Sequence, residues 1–151
     1  MEYSHSDAEL LDQPIGYWAW AAHSAVVDHI RAGLAEFGIS QPQYWIMNQV
    51  RSGRNGRTRE EITEILKGYL DAGATLGPEF DALFDKGLVS IDDEQRLWTT
   101  AEGEAVYQRC VERQDALKGV RHDGVTDAEY LTTLKVLQRM IHNVGGEAWH
   151  E

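Results

Sequence analysis

Four arginines lie within nine positions near the middle of the chain: Arg51, Arg54, Arg57 and Arg59. The planar guanidinium group can pair with a phosphate through two parallel hydrogen bonds, so such a cluster is typical of a surface that binds a nucleic-acid backbone. The 151-residue chain carries a formal net charge of −11, which disfavours general attraction to a polyanion. The cluster therefore indicates a local phosphate-binding patch, or else a solvated loop whose arginines offset an acidic surface.

A second group of chemically useful side chains combines aromatic and imidazole rings. Its members are Trp18, Trp20, His23, Tyr44 and Trp45. Aromatic rings with a few polar groups are typical of pockets for small aromatic or phenolic ligands. The alternative interpretation is ordinary packing within a core or between two subunits.

The sequence shows no constellation that points to an enzyme. No nucleophile with a nearby base, carboxylate pair or phosphate-cradling glycine loop stands out, so we predict no catalysis and no cofactor. His23 and His29 are six positions apart, which is not the spacing of a metal pair on adjacent helical turns, and we predict no metal site. Cys110 is the only cysteine and is interpreted as a small buried hydrophobe rather than a redox centre.

The composition fits a folded domain rather than a disordered or membrane-spanning chain. Hydrophobic residues make up 42% of the sequence, and no apolar run approaches the ~20 residues that a membrane-spanning helix needs. The first residues are acidic and lack the features of a signal peptide. With a single cysteine, these features predict a cytoplasmic protein without membrane partners.

The elements that would position these side chains are mostly helical. Apolar periodicity predicts six helices, over 15–37, 42–51, 59–70, 75–86, 101–120 and 127–144. A break at 122–124 separates the last two of these helices. Two strands are predicted at 88–91 and 96–99, on either side of an acidic turn. Four capping boxes are predicted to start helices, at Ser40…Gln43, Thr58…Glu61, Thr99…Glu102 and Thr126…Glu129.

The last predicted helix has the sharpest periodicity in the chain. Its apolar residues are spaced alternately four and three positions apart, as in a heptad seam, and are Tyr130, Leu134, Leu137, Ile141 and Val144. Such a seam requires a partner helix, which is either another helix of the same chain or the same helix of a second copy. Twofold dimers are the commonest soluble oligomers, so we favour a homodimer.

The order of helices with a hairpin between the fourth and fifth resembles that of the MarR family of winged helix-turn-helix regulators. The segments that carry the resemblance are ISQPQYW at 39–45, TREEI at 58–62, LFDKGLV at 83–89 and LWTTAEG at 97–103. The resemblance covers nearly the whole chain. It implies a mainly α fold with a small β-hairpin wing, in which N- and C-terminal helices form a dimer.

The resemblance also implies a function and a division of the chain. A platform for dimerisation would comprise 1–38 and 100–151, and a winged helix-turn-helix lobe would comprise 39–99. Members bind double-stranded operator DNA as dimers, and many are released by small aromatic effectors. The helix at 75–86 would enter the major groove and the wing would reach the minor groove or backbone. The implied DNA-binding residues are Arg51, Arg54, Arg57, Arg59, Thr75, Glu79 and Arg96.

An alternative of a different class uses the same fold. The predicted major-groove helix contains Gly77-Pro78-Glu79 and no cation before Lys86, although guanine is usually read by Arg or Lys. The wing turn is also acidic, and Arg96 is its only cation. The second hypothesis is therefore a dimeric module that binds a ligand or a protein and has lost sequence-specific DNA binding.

Overall fold

The computed structural model describes residues 2–70 and 74–147 and has a mainly helical architecture. Its helices in chain order are α1 (Asp7–Leu11), α2 (Ile15–Ala35), α3 (Gln41–Ser52), α4 (Arg59–Leu66), α5 (Gly77–Asp85), α6 (Ala101–Arg121) and α7 (Asp127–Asn143). Two antiparallel strands between α5 and α6, β1 (Val89–Ile91) and β2 (Leu97–Thr99), form the hairpin. The predicted fold class, mainly α with a small β-hairpin wing, is confirmed. The predicted loop at 71–73 and the end of the predicted platform at 148–151 lie outside the described residues.

Reciprocal side-chain caps set most of the helix starts. Ser40 caps α3, Thr58 caps α4 and Thr126 caps α7, each with its partner three residues later, as predicted. In each box, the cap side chain accepts a hydrogen bond from an amide that has no partner within the helix. A further box at Ser6 and Glu9 starts the short helix α1, which the apolar periodicity of the sequence does not predict.

The fourth predicted capping box was wrong by one residue. Thr99 is the last residue of β2, and the Oγ1 atom of Thr100 accepts a hydrogen bond from the amide of Gly103 at 2.9 Å. The Thr100 hydroxyl also donates to the carbonyl oxygen of Gly87 at 2.7 Å. Because Thr99 is paired with Val89 in the sheet, the next residue is the one free to cap α6.

Two helix boundaries also differ from the prediction. The helix α4 ends at Leu66 and continues as a 3-10 turn over Lys67–Tyr69, where Gly68 weakens the helical preference. The helix α5 begins at Gly77, with Pro78 in its first turn, so Thr75 lies before it rather than on it. Leu76 precedes this helix without a side-chain cap.

The chain divides into two compact units, of which the first ends at Leu117 and the second begins at Lys118. The first unit contains a continuous apolar core built by α2, α3, α4, α5, the hairpin and the first turns of α6, with Leu34, Ile46, Ile62, Leu83 and Leu97 fully buried. This core fixes the helix-turn-helix and the hairpin against each other. Gly103 of α6 belongs to it: an added Cβ would lie 1.9 Å from the carbonyl oxygen of Leu88.

The second unit contains the end of α6 and the helix α7. None of the residues of α7 is buried. Tyr130 and Leu134 are 46% and 41% exposed on this helix, and Val144 directly after it is 83% exposed. The predicted seam therefore lies largely open to solvent within a single chain.

Candidate nucleic-acid interface

The loop of residues 53–58, here called the arginine loop, connects α3 with α4. Its residue Gly56 lies close to side chains of the wing. Gly56 is buried and has a positive φ of 71°, which favours glycine. A Cβ at this position would lie 2.9 Å from side-chain atoms of Arg96 and Trp98. The loop is therefore packed against the second strand of the wing instead of extending freely into solvent.

Arg57 stabilises the loop itself. Its Nη1 atom donates to the main-chain carbonyl oxygen of Gln49 at 2.8 Å and lies 2.9 Å from the hydroxyl of Ser52. Its own carbonyl oxygen accepts a hydrogen bond from the amide of Leu97 at 2.8 Å. The side chain thus satisfies the end of α3 while the backbone joins the loop to the wing.

Arg51 is held against α6 in the first unit. Its guanidinium group makes two hydrogen bonds to the carboxylate of Glu104, at 2.7 and 2.8 Å, and lies 4.2 Å above the ring of Tyr107. The hydrogen bonds to Arg51 lower the pKa of Glu104 from its ordinary value. A bidentate pair of this kind has both planar groups fixed in direction.

Arg59 and Arg96 also have internal partners. Arg59 pairs with Asp81 of α5 at 3.0 Å. Arg96 donates to the carbonyl oxygen of Gly56 at 3.2 Å, and its nearest carboxylates, those of Glu94 and Glu61, are 3.7 and 3.9 Å away. Three of the predicted DNA-binding arginines are therefore paired with carboxylates: Arg51, Arg59 and Arg96.

Arg54 is different. Between residues 39 and 99 the sequence has seven basic side chains, and Arg54 alone among them makes no hydrogen bond, ion pair or ring contact with the described part of the chain. Its side chain is exposed at the tip of the loop. It is the cation of this lobe that can contact a phosphate without first leaving an internal partner.

Glu79, one of the predicted DNA-binding residues, joins α5 to the start of α3. Its Oε2 atom accepts hydrogen bonds from the hydroxyl of Ser40 at 2.9 Å and from Nε2 of Gln43 at 2.7 Å. Lys86 donates to the side-chain oxygen of Gln43, Oε1, at 2.8 Å and to the carbonyl oxygen of Gly38 at 2.6 Å. The network fixes the angle between two helices, whereas Thr75 is exposed and lies outside the network.

The wing turn uses its first acid as a structural group. Asp92 and Arg96 flank a tight turn in which Gln95 has a positive φ of 61°, as in a three-residue hairpin loop with a bulge. The carboxylate of Asp92 accepts hydrogen bonds from the amides of Glu94 and Arg96, at 3.0 and 2.9 Å, and from the indole nitrogen of Trp98 at 2.6 Å. These bonds lower its pKa, the one from Trp98 most.

This geometry predicts a pH response of the wing. The folded-state pKa of Asp92 lies below the ordinary value of an aspartate, so its contribution to the free energy of unfolding is fully present above the ordinary pKa and is lost as the pH falls through the folded-state pKa. We expect the indole N–H resonance of Trp98 to shift in an NMR titration with a midpoint below the pKa of an unperturbed aspartate. The resonance should not titrate in Asp92→Ala, and the exposed Trp20 provides an internal control. A midpoint above the pKa of an unperturbed aspartate, or the same titration in Asp92→Ala, would contradict the assigned hydrogen bonds.

Structural comparison relates this arrangement to solved MarR-family regulators. The reduced form of MarR from E. coli matches with a TM-score of 0.67 and 21% identity, over 90% of this chain and 99% of that one. A Mycobacterium tuberculosis MarR-family protein in complex with DNA matches with a TM-score of 0.66 and 18% identity, over 85% and 98% of the two chains. The chain has the fold of the MarR family. CouR from Rhodococcus jostii RHA1, bound to p-coumaroyl-CoA, matches with a TM-score of 0.66 and 18% identity over 93% and 98%.

The resemblance inferred from four short segments is thus confirmed at the level of the MarR fold. No family model matches the sequence, and comparison with curated proteins found no significant match. The likeness is therefore carried by the order and packing of the elements. In this MarR-type fold α4 and α5 form the helix-turn-helix and the β1–β2 hairpin forms the wing.

The aromatic residues predicted to line a pocket fall into two groups in the MarR-type fold. Tyr44 stacks on Tyr107 with ring centres 5.3 Å apart, and Trp45 contacts Tyr69 at 5.7 Å. Burial raises the pKa of Tyr44 well above its ordinary value. Both residues are half-buried and connect α3 to its neighbours.

The other predicted pocket residues lie in the first half of α2. Trp18 and Trp20 are 39% and 63% exposed, and both contact Tyr17. His23 is exposed on the same helix. Among residues 2–70 and 74–147, no ring contact connects these tryptophans with Tyr44 or Trp45. The pocket therefore stays a prediction, because these ring contacts do not bring the two groups of aromatic residues together.

Residues 2–70 and 74–147 contain neither a metal-binding cluster nor a membrane-spanning helix. There, no group of three or more His, Cys, Asp or Glu side chains is arranged to hold a metal ion. None of the helices in residues 2–70 and 74–147 combines the length and apolarity of a membrane span. Cys110 is fully buried and burial raises the pKa of its thiol, which favours the packing interpretation.

Proposed function

We propose that this protein is a MarR-type transcriptional regulator that binds double-stranded DNA as a homodimer. The observation that carries the proposal is the match over 85% of the chain to a MarR-family protein in complex with DNA. The match also covers 98% of that chain. The protein is expected to act in the cytoplasm.

In this proposal the chain has two roles. The helices of 1–38 and 100–151 form the dimerisation platform, with the seam of α7 as part of the interface. The lobe of 39–99 presents α5 to the major groove, and two lobes of a dimer meet successive turns of the duplex. Arg54 supplies the most accessible phosphate contact of the lobe. The remaining cations are proposed to contact phosphates when they exchange their internal partners for DNA, and they are Arg51, Arg57, Arg59 and Arg96.

A small aromatic effector is the proposed regulator of DNA binding. The support is chemical: aromatic groups of α2 and α3 are only partly buried, and a protein of the same fold, CouR, binds p-coumaroyl-CoA. Trp18, Trp20, His23, Tyr44 and Trp45 are the proposed lining. An effector that binds there would alter the spacing of the two lobes and so the affinity for DNA.

The alternative function is a MarR-type module that binds a ligand or a protein without reading DNA. It is favoured by α5, where Glu79, Asp81 and Asp85 are the only charged side chains. Three arginines of the lobe are also engaged with carboxylates, as described above. Direct readout of guanine, which needs Arg or Lys, has no donor on this helix.

Selection of genomic fragments separates the two functions. Fragments are incubated with the protein at about 50 mM salt, where phosphate contacts are strongest. A regulator retains a defined set of fragments and protects half-sites about ten base pairs apart, as expected for a twofold dimer. Retention of no fragment would contradict the regulator and favour the alternative.

The Arg54→Ala variant tests the assigned phosphate contact. Because one contact contributes about −0.9 to the slope of log K against log salt, we expect the slope to become less steep by about that amount. Affinity should fall similarly for all bound sequences, since a phosphate contact carries no base information. An unchanged slope would contradict the role of Arg54 and leave the regulator proposal in place. Titrations of wild-type and variant protein on one retained fragment give both values.

A further inference from the structure

Arg59 and Asp81 join the two helices of the helix-turn-helix. Arg59 is the first residue of α4, and its Nη1 atom lies 3.0 Å from Oδ1 of Asp81 on α5. The guanidinium carbon is 4.9 Å from the ring centre of Phe84 and 5.4 Å from that of Phe80. The cationic group is thus held beside the helix that enters the major groove in the proposed function.

The pair is accessible to a competing anion. The Arg59 side chain is 37% exposed and that of Asp81 is 66% exposed. A single hydrogen bond joins them, which leaves further guanidinium donors available. An exposed pair of this kind contributes little to stability, so exchange of one anionic partner for another is inexpensive.

We propose that Asp81 competes with DNA phosphate for Arg59 and so limits the affinity of the free protein for DNA. This inference rests on the proposed function. When DNA binds, a backbone phosphate replaces the Asp81 carboxylate as the partner of the guanidinium group. Arg51 does not offer the same exchange, because two hydrogen bonds to Glu104 hold it. Arg57 is committed to the end of α3.

The test compares two substitutions on the same helix. Asp81→Asn removes one negative charge and releases Arg59. Asp85→Asn removes the same charge, but Asp85 is exposed and forms no ion pair with the described part of the chain. Both variants lose the same charge, so a difference in their affinity for DNA measures the effect of releasing Arg59.

The expected result is tighter binding by Asp81→Asn. Because the exposed ion pair no longer competes with the phosphate, we expect binding up to about five-fold tighter than that of Asp85→Asn. The salt slope should be the same for the two variants, since Arg59 contacts a phosphate in both complexes. Adding Arg59→Gln to Asp81→Asn should remove the gain and make the slope less steep by about 0.9. Titrations on a fluorescent duplex supply the affinities, and thermal melts establish that each variant is folded.

The outcomes separate this inference from the proposed function. Equal affinities for the two Asn variants, with wild-type binding intact, would overturn the role of Asp81 alone. Binding by Asp81→Asn where wild-type protein binds only weakly would support it. If no form binds DNA at about 50 mM salt, both this inference and the regulator function are overturned.

Discussion

Replacing Gly103 with alanine is expected to lower the free energy of unfolding by about 3 kcal/mol, the upper part of the range for overpacking. The new Cβ would lie 1.9 Å from the carbonyl oxygen of Leu88 and 3.0 Å from the side chain of Thr99. Because the nearer atom belongs to the backbone, a rotamer change cannot relieve the clash. The start of α6 must move away from the wing junction instead.

Gly119→Ala is the matched control for this prediction. Gly119 lies in the same helix, and an added Cβ would meet nothing within 4 Å. The alanine should therefore stabilise the protein by about 0.5 kcal/mol through its higher helix propensity. Urea unfolding at one fixed protein concentration measures both variants. Equal effects of the two substitutions would contradict the close contact between α6 and Leu88.

Leu134→Glu is expected to dissociate the proposed homodimer. The side chain is 41% exposed within one chain, so the substitution should leave the monomer folded. In a dimer built on this seam, each glutamate would be buried without a partner, at a cost of about 3–5 kcal/mol. The dimer dissociation constant should rise by at least about 100-fold. Sedimentation equilibrium measures this constant.

Gln138→Glu provides the control for the charge itself. Gln138 is exposed on α7 and does not belong to the seam, so its variant should remain as dimeric as the wild type. A monomeric Leu134→Glu should also bind DNA more weakly, because two linked lobes gain from binding adjacent half-sites. A wild-type protein that is monomeric at micromolar concentration would contradict the seam.

The sequence was a good guide where structure is determined locally. Three capping boxes, at Ser40, Thr58 and Thr126, begin helices as predicted, because a cap and its partner are only three residues apart. The hairpin was predicted for the same reason. The sequence predicted Thr99 as the cap of α6, whereas Thr100 is the residue that caps it. The two neighbouring threonines look alike in the sequence, and only the pairing of Thr99 in the sheet distinguishes them.

The partners of the arginines could not be predicted in the same way. The acceptor of Arg51 is Glu104, 53 residues later, and that of Arg59 is Asp81, 22 residues later. Nothing in the local pattern connects such pairs, so the cluster appeared as four equivalent cations. Tertiary packing separates them into an accessible residue, Arg54, and others that already have partners.

The acidic residues changed in meaning for a related reason. Asp92 was interpreted as a charge at the wing tip, and Glu79 as a possible base contact. In the structure each accepts hydrogen bonds that organise the lobe, Asp92 within the wing and Glu79 between α3 and α5. The acidic composition of the lobe therefore reflects its internal construction as well as its surface.

A salt titration of the wild-type protein tests DNA binding by the MarR-type lobe. A retained genomic fragment and a shuffled fragment of equal length and composition are titrated from about 50 to about 200 mM salt. We expect tighter binding to the genomic fragment and a linear fall of log K with log salt. Equal affinity for the two fragments at every salt concentration, or failure of the protein to retain any genomic fragment at about 50 mM salt, would contradict DNA reading by this lobe.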